Sequence, residues 1–322
     1  MSTPTQTPDM APDMAPDMAP DMAPDMAPPC AAPDFHPRQP GLRLPEGACD
    51  AHAHVIGPLA RYPLSAARVY TPFDCVAKDY LHMLSRTGLQ RAVLVQPSIY
   101  GADNRLLLDT LALDPNRLRG VAVAHEGVAP EELAHWHQAG VRGLRVNLVD
   151  RHDAGGALPM AMLHALAERI APMGWHLELL AHVDAYPQEL MALQTLAVPV
   201  VFGHLGYPTI GRNVADAGFQ ALLQLMATGR AWVKLTGPYR LTREPLPYAP
   251  CDEWVNALLA AAPDRLVWGS DWPHVMLKGT MPNDADLVDL IGRWLPDPIQ
   301  RHQVLVENPA VLYDFPRNSE RG

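Results

Sequence analysis

The amino-acid sequence predicts an α/β protein folded as a single (β/α)8 barrel of the TIM type, and three observations carry that prediction. Short, almost wholly apolar runs alternate with segments of helical period; there are eight such runs; and the residues that close them are the polar ones. Near-continuous hydrophobic strands are those covered on both faces, as parallel strands are when helices pack outside and side chains fill the inside. Eight strand and helix units in roughly 270 residues match the length a TIM barrel needs. An open doubly wound sheet is the alternative, but no Gly-x-Gly-x-x-Gly follows the first run.

Taken in order, the strand runs are 49–55, 91–96, 120–125, 143–148, 176–182, 198–204, 231–236 and 265–271. Helical stretches follow at 74–86, 130–139, 158–173, 187–197, 215–228, 252–262 and 284–294. Residues 1–45 are different in kind. Pro-Asp-Met-Ala recurs in tandem from Pro8 to Ala27, and further prolines stand at Pro28, Pro33, Pro37 and Pro40. Proline removes backbone donors and one aspartate per repeat favours solvation, so this stretch is expected to be a disordered tail outside the fold, dispensable if residues 1–40 are removed. The barrel domain is then 46–322.

A chain of 322 residues with 48% hydrophobic and 19% charged residues has ample material for one large core. The net charge of −10 gives no basic footprint for nucleic acid or an anionic membrane, which leaves small molecules as the expected partners. No stretch has the charged start and apolar run of a secretory signal, and none has the apolar length of a membrane span. The four cysteines, Cys30, Cys49, Cys75 and Cys251, form no Cys-x-x-Cys and no dense framework. Disulfide staples and a thiolate zinc site are therefore unexpected, and a reducing cytoplasm fits.

On a barrel, chemistry sits at the C-terminal ends of the strands. His52 and His54 close the first run, at a spacing that points both side chains one way in an extended strand. Gln96 and Ser98 close the second; Arg145 and Asn147 lie late in the fourth; His182, His204 and Asp271 end the fifth, sixth and eighth; Lys234 and Thr236 lie in the seventh. His52, His54, His182 and Asp271 supply a nitrogen and oxygen set suited to Zn2+ with a position left for water. His204 would then orient that water, carry a proton or bond the oxyanion. Without a metal, Asp271 could take the water's proton directly, so both routes are hydrolytic. Arg142, Arg145, Arg151 and Arg240 are expected near one rim, where guanidinium groups suit carboxylate recognition, with Tyr70 and Ser98 adding neutral hydrogen bonds.

Taken jointly and in order, several motifs make the chain after about Pro45 resemble the amidohydrolase superfamily, in the branch of 2-pyrone-4,6-dicarboxylate lactonase. They are Asp50-Ala51-His52-Ala53-His54-Val55-Ile56-Gly57-Pro58, Tyr62-Pro63-Leu64-Ser65, Val95-Gln96-Pro97-Ser98, Gly143-Leu144-Arg145-Val146-Asn147, Gly203-His204-Leu205-Gly206, Trp268-Gly269-Ser270-Asp271-Trp272-Pro273-His274 and Asn308-Pro309-Ala310-Val311-Leu312-Tyr313. The resemblance implies hydrolysis of a lactone ester, with Asp271 activating water. It also implies carboxylate binding by Arg145, Arg151 and Arg240, with Tyr70 and Ser98 as further contacts. Two departures stand out. The pyrone lactonase works without metal and lacks the strand-five histidine present here as His182. It also has an arginine where this chain has Tyr207 and a tyrosine where it has Leu180, so Tyr207 belongs to an altered substrate pocket. The expected substrate is a carboxylated lactone of the 2-pyrone-4,6-dicarboxylate or muconolactone type. A lactone isomerase, a zinc-dependent decarboxylase and a non-catalytic binding protein are the competing readings.

Overall fold

The computed structural model describes residues 27–150 and 157–316. It contains eight parallel strands paired in sequence order: β1 (Cys49–Ala53), β2 (Arg91–Val95), β3 (Leu118–Ala122), β4 (Val141–Asn147), β5 (His176–Leu180), β6 (Val200–Phe202), β7 (Ala231–Leu235) and β8 (Leu266–Trp268). The seam between β8 and β1 closes through a bridge between Ala53 and Trp272, with His54 N donating to Trp272 O at 2.7 Å and Asp271 N donating to His52 O at 2.8 Å. This is the predicted (β/α)8 barrel.

The helices are α1 (Ala77–Thr87), α2 (Arg105–Leu111), α3 (Pro130–Gln138), α4 (Met160–Ile170), α5 (Ala217–Ala227), α6 (Cys251–Ala261), α7 (Asp284–Trp294), α8 (Pro298–His302) and α9 (Asn308–Tyr313). Helix α1 shows why these segments coil where they do: Tyr80, Met83, Leu84 and Thr87 recur at helical spacing and are its buried face, and Gly88 at φ 84° ends it in a left-handed cap. The expected helix at 187–197 is instead a 3-10 stretch, Leu190–Thr195. Pro187 and Pro199 bracket that segment and leave it little length for α-helical propagation.

Cys49, Ala51, Val93, Val95, Val121, Val201 and Val267 form an apolar layer that Tyr313 and Phe315 of the C-terminal segment cap from below. The Arg91 and Arg119 guanidinium groups stack on the Phe315 ring at 5.0 and 4.7 Å, so the floor of the barrel is a sealed, cation-bearing plug. Arg142 belongs to this lower end: its Nε and Nη2 bind Asp314 Oδ2 at 3.2 and 3.1 Å. It is therefore not at the rim where the sequence reading put it.

A second correction concerns the N-terminal segment. Residues 27–45, expected to lie outside the fold, pack on the barrel. Thr71 exchanges backbone bonds with Pro28 and Cys30, Met276 N donates to Cys30 Sγ at 3.3 Å, Asn283 Nδ2 donates to Asp34 Oδ2 at 2.7 Å and Leu42 N to Asp289 Oδ1 at 2.7 Å. The repeat before Ala27 lies outside the described residues. A chain beginning at residue 46 should melt below one beginning at residue 27 by roughly 3–6 °C, the effect of about 1.5 kcal/mol in a domain of this size. Equal melting temperatures by calorimetry would show that the segment adds nothing to the fold.

Candidate active site

Strand β1 carries a register shift between Asp50 and Ala53. The irregularity lets Ala51 face the apolar interior while Asp50 turns to helix α1 and His52 reaches the mouth of the barrel. Asp50 is wholly buried and ties β1 to the β8 loop. Its Oδ2 accepts from Ser270 Oγ at 2.6 Å and Tyr80 OH at 3.0 Å, and its Oδ1 from Ser270 N at 2.9 Å and His52 N at 3.1 Å. Burial raises its pKa to about 6, against the pull of those bonds.

Across the seam, Asp271 Oδ1 lies 3.6 Å from His52 Nε2 and 4.0 Å from His54 Nε2. His54 Nδ1 sits 2.7 Å from Val95 O, which fixes the ring proton there and leaves Nε2 as the lone-pair nitrogen facing the mouth. His52 Nδ1 lies 3.2 Å from Glu178 Oε1 and 3.2 Å from Lys234 Nζ, and the Lys234–Glu178 ion pair is closed at 2.6 Å. Among the described residues His52 Nε2 and Asp271 Oδ1 are buried with no hydrogen-bond partner, and one ligand atom from each of His52, His54 and Asp271 lies within 4.8 Å of the others. Such a set of two imidazoles and a carboxylate, orphaned and convergent, fits a divalent cation with positions left open.

His182 does not join that set. Strand β5 ends at Leu180, and the chain turns at His182 into a 3-10 turn, so the alternation that brings Glu178 inward does not continue to residue 182. Its Nδ1 faces Tyr207 O at 2.7 Å and its ring stacks on Tyr207 at 4.4 Å. Among the described residues the metal-like group is His52, His54 and Asp271 alone.

The pocket above them is lined by His54, Tyr70, Ser98, Arg145, Asn147, Leu180, His204, Tyr207, Arg240 and Asp271, together with Val149, Asp150, Val275 and Met276. Tyr70, Ser98, Arg145, His204, Tyr207 and Arg240 are thus gathered as expected; Arg151 lies outside the described residues. Arg240 has a different principal partner from the one expected. Its Nε donates to Asp271 Oδ2 at 2.7 Å and its Nη2 to Val275 O at 2.9 Å. Among the described residues Arg145 spends only Nη1, on Gln96 O at 2.9 Å. Burial pushes the Asp271 pKa up, but Arg240, with the surrounding histidines, more than reverses this and holds the carboxyl well below its usual range. The residues that sequence reasoning left without a role are Glu178, Tyr239, His274 and Asp284. Tyr239 OH donates to the same Asp271 oxygen at 2.7 Å. The one legible signal was a glutamate inside the apolar strand His176-Leu177-Glu178-Leu179-Leu180, where an unpaired charge would be costly.

Burial lowers the pKa of four histidines from the ordinary 6.5: His54 to about 4, helped by Arg145; His176 and His204 to about 3; and His52 in the same direction, helped by Lys234. Groups whose folded pKa is depressed contribute stability above the unfolded value and lose it as pH falls. Asp50, raised from 3.8 to about 6, acts oppositely, its contribution being lost as pH rises through 6. Four against one, the melting temperature should fall from pH 7 to pH 5, at about 1.4 kcal/mol per pH unit for each net proton taken up on unfolding. A flat calorimetric profile over that window would mean the histidines are not held neutral by the fold.

Residues 49–315 match the family model described as Amidohydrolase. The chain is 34% identical to a 4-sulfomuconolactone hydrolase of Rhizobium radiobacter, over 84% of this chain and 91% of that protein. It is also 34% identical to a 2-pyrone-4,6-dicarboxylate hydrolase of Comamonas testosteroni, over 86% and 93%. A D-galactarolactone isomerase of Agrobacterium fabrum is 29% identical over 85% and 93%. Among solved structures, a probable 2-pyrone-4,6-dicarboxylic acid hydrolase of Acinetobacter baumannii with citric acid bound superposes with a TM-score of 0.74 at 26% identity, over 84% of this chain and all of the other. The motifs, the closed barrel, the histidine and aspartate cluster at its mouth and these matches lead to one conclusion: the chain belongs to the amidohydrolase family.

Proposed function

We propose that this protein is a lactonase that opens a small carboxylated lactone with water activated at Asp271. The observation that carries the reading is Asp271 itself. One of its oxygens is held by Arg240 and Tyr239, while the other, Oδ1, is buried without a hydrogen-bond partner and directed to His52 and His54. An ionised carboxylate pinned in this way is a base aimed at one place. Water attacking the lactone carbonyl gives up its proton to Asp271 Oδ1; the acyl–oxygen bond breaks, the ring oxygen leaves, and it takes a proton to give the hydroxy acid. His204, at the same mouth and neutral at pH 7, is placed to pass that proton. Arg145 receives the substrate carboxylate, with Tyr70, Ser98 and Tyr207 around it.

A Zn2+ ion held by His52, His54 and Asp271 would polarise the carbonyl and acidify its water. The names of the relatives support a substrate of the 2-pyrone-4,6-dicarboxylate or muconolactone type, and the citric acid bound by the Acinetobacter baumannii protein supports a pocket for polycarboxylates. The isomerase relative motivates a second reading, proton movement in a lactone without net hydration. Mass spectrometry of the product separates them, since only hydrolysis adds one water. Four cysteines without a disulfide support a cytoplasmic setting.

Asp271→Asn should lower kcat by about 10² or more with the fold retained, because the amide keeps the shape and cannot accept the proton. A rate within about tenfold of wild type would remove Asp271 from this role. Arg145→Met should weaken substrate binding by roughly 1.5–3 kcal/mol, read as a rise in KM. If the methyl ester of the substrate turned over as well as the free acid, the carboxylate contact would be excluded. Elemental analysis of the purified protein should find near-stoichiometric zinc, reduced in His54→Ala; its absence would leave the metal-free route through Asp271.

A further inference from the structure

A line of buried polar side chains stands against Asp271, and the proposed hydrolysis uses only its first member. Tyr239 OH donates to Asp271 Oδ2 at 2.7 Å, its oxygen lies 2.8 Å from His274 Nδ1, and His274 Nε2 lies 3.2 Å from Asp284 Oδ1. These groups come from the turn after β7, the loop after β8 and the first residue of α7, and none exceeds 9% exposure. Tyr239, His274 and Asp284 do not line the substrate pocket.

Two features argue against mere packing. The Asp284 carboxylate is buried at the start of a helix, yet the capping bond to Ala285 N comes from Asn283, so Asp284 is free to point inward at His274. The β8 loop reaches that arrangement through left-handed backbone at three non-glycine residues, Asp271 (φ 65°), His274 (φ 60°) and Met276 (φ 58°). Non-glycine residues hold that conformation only where their surroundings fix it. With its single proton spent on Asp271, the Tyr239 oxygen is an acceptor for His274 Nδ1–H, and Asp284 stands at the other ring nitrogen. Donor and acceptor roles thus order Asp271, Tyr239 and His274, while the Asp284 carboxylate lies 3.2 Å from the other ring nitrogen as a close polar contact without a hydrogen bond.

We propose that Tyr239, His274 and Asp284 are positioning residues for the hydrolysis, which hold Asp271 Oδ2 away from the pocket so that Oδ1 alone meets the attacking water. The side chains of His274 and Asp284 act through Tyr239, the one of the three whose side chain bonds the Asp271 carboxylate. The proposal rests on the reading of Asp271 as that base.

The test is a double-mutant cycle in the full chain, with Tyr239→Phe, Asp284→Asn and the pair, assayed on a carboxylated lactone the wild type turns over. Each single variant should lower kcat by about 10- to 100-fold with KM within about threefold, and the pair should be no worse than the poorer single. A kcat for Tyr239→Phe within about threefold of wild type, losses that multiply in the pair, or losses that fall on KM would each overturn the proposal. Tyr239→Phe is near isosteric; if Asp284→Asn does not fold, His274→Asn takes its place in the cycle under the same criteria. Asp271→Asn separates the two claims. Full activity there overturns the base and the positioning residues together, whereas an inactive Asp271→Asn beside a fully active Tyr239→Phe overturns only the latter.

Discussion

The closure of the barrel between β8 and β1 is the constraint on which the site depends. His52 and His54 belong to one side of that seam and Asp271 to the other, so nothing brings them together unless the seam holds. Asp50 holds it with four hydrogen bonds spread over both of its oxygens, reaching His52, Ser270 and α1 through Tyr80. Removing such a hub would leave several buried donors unpaired at once, which costs more than the bonds themselves contribute. Close approach matters equally: a Cβ at Gly269 would lie 2.6 Å from His52 Cβ. The strands meet there only because residue 269 has no side chain.

Electrostatics then decides what each group at the mouth can do. Lys234 and Glu178 form an ion pair inside the barrel, at 0% and 3% side-chain exposure, directly beneath His52. Buried ion pairs are poor sources of stability, because desolvation offsets most of their attraction. Their value here is orientation, since they fix the ring of His52 from below while its Nε2 faces Asp271. Gly237 shows the same economy of space. It sits at φ 60°, and a Cβ there would lie 2.8 Å from His204 Nδ1 and 3.1 Å from Asp271 Oδ2.

Much of this was legible in the sequence, for a physical reason. Buried parallel strands must be apolar along their whole length, so eight such runs could be counted, and the polar residues that end them could be assigned to one mouth. Periodicity failed where the backbone stops being regular. His182 was read as the continuation of strand β5, yet that strand ends two residues earlier and the next turn points the ring at Tyr207. Composition failed for residues 27–45. Asp34 and Arg38 find partners in Asn283 and Asp286, far along the chain, and a count of prolines cannot register them. The buried line through His274 and Asp284 was hidden for the same reason, since its members share no local pattern.

The pairing of Arg240 with Asp271 also reorders the recognition chemistry. A guanidinium that already donates from Nε to Asp271 Oδ2 and from Nη2 to Val275 O has little left for a ligand, and drawing it away would release the carboxyl it holds ionised. Among the described residues Arg145 carries no such duty, its one hydrogen bond being from Nη1 to Gln96 O. The two arginines therefore differ although both line one pocket: Arg240 is bound to Asp271, and Arg145 is not. Around Arg145 the walls are mixed, with Leu180 and Val275 on one hand and Asn147, Tyr70 and Tyr207 on the other. Asp150 adds a second carboxylate to the lining and accepts from Asn147 Nδ2 at 2.6 Å. Arg145 and Asp150 thus set opposite charges in one pocket, a polarity that would orient an anionic group entering it.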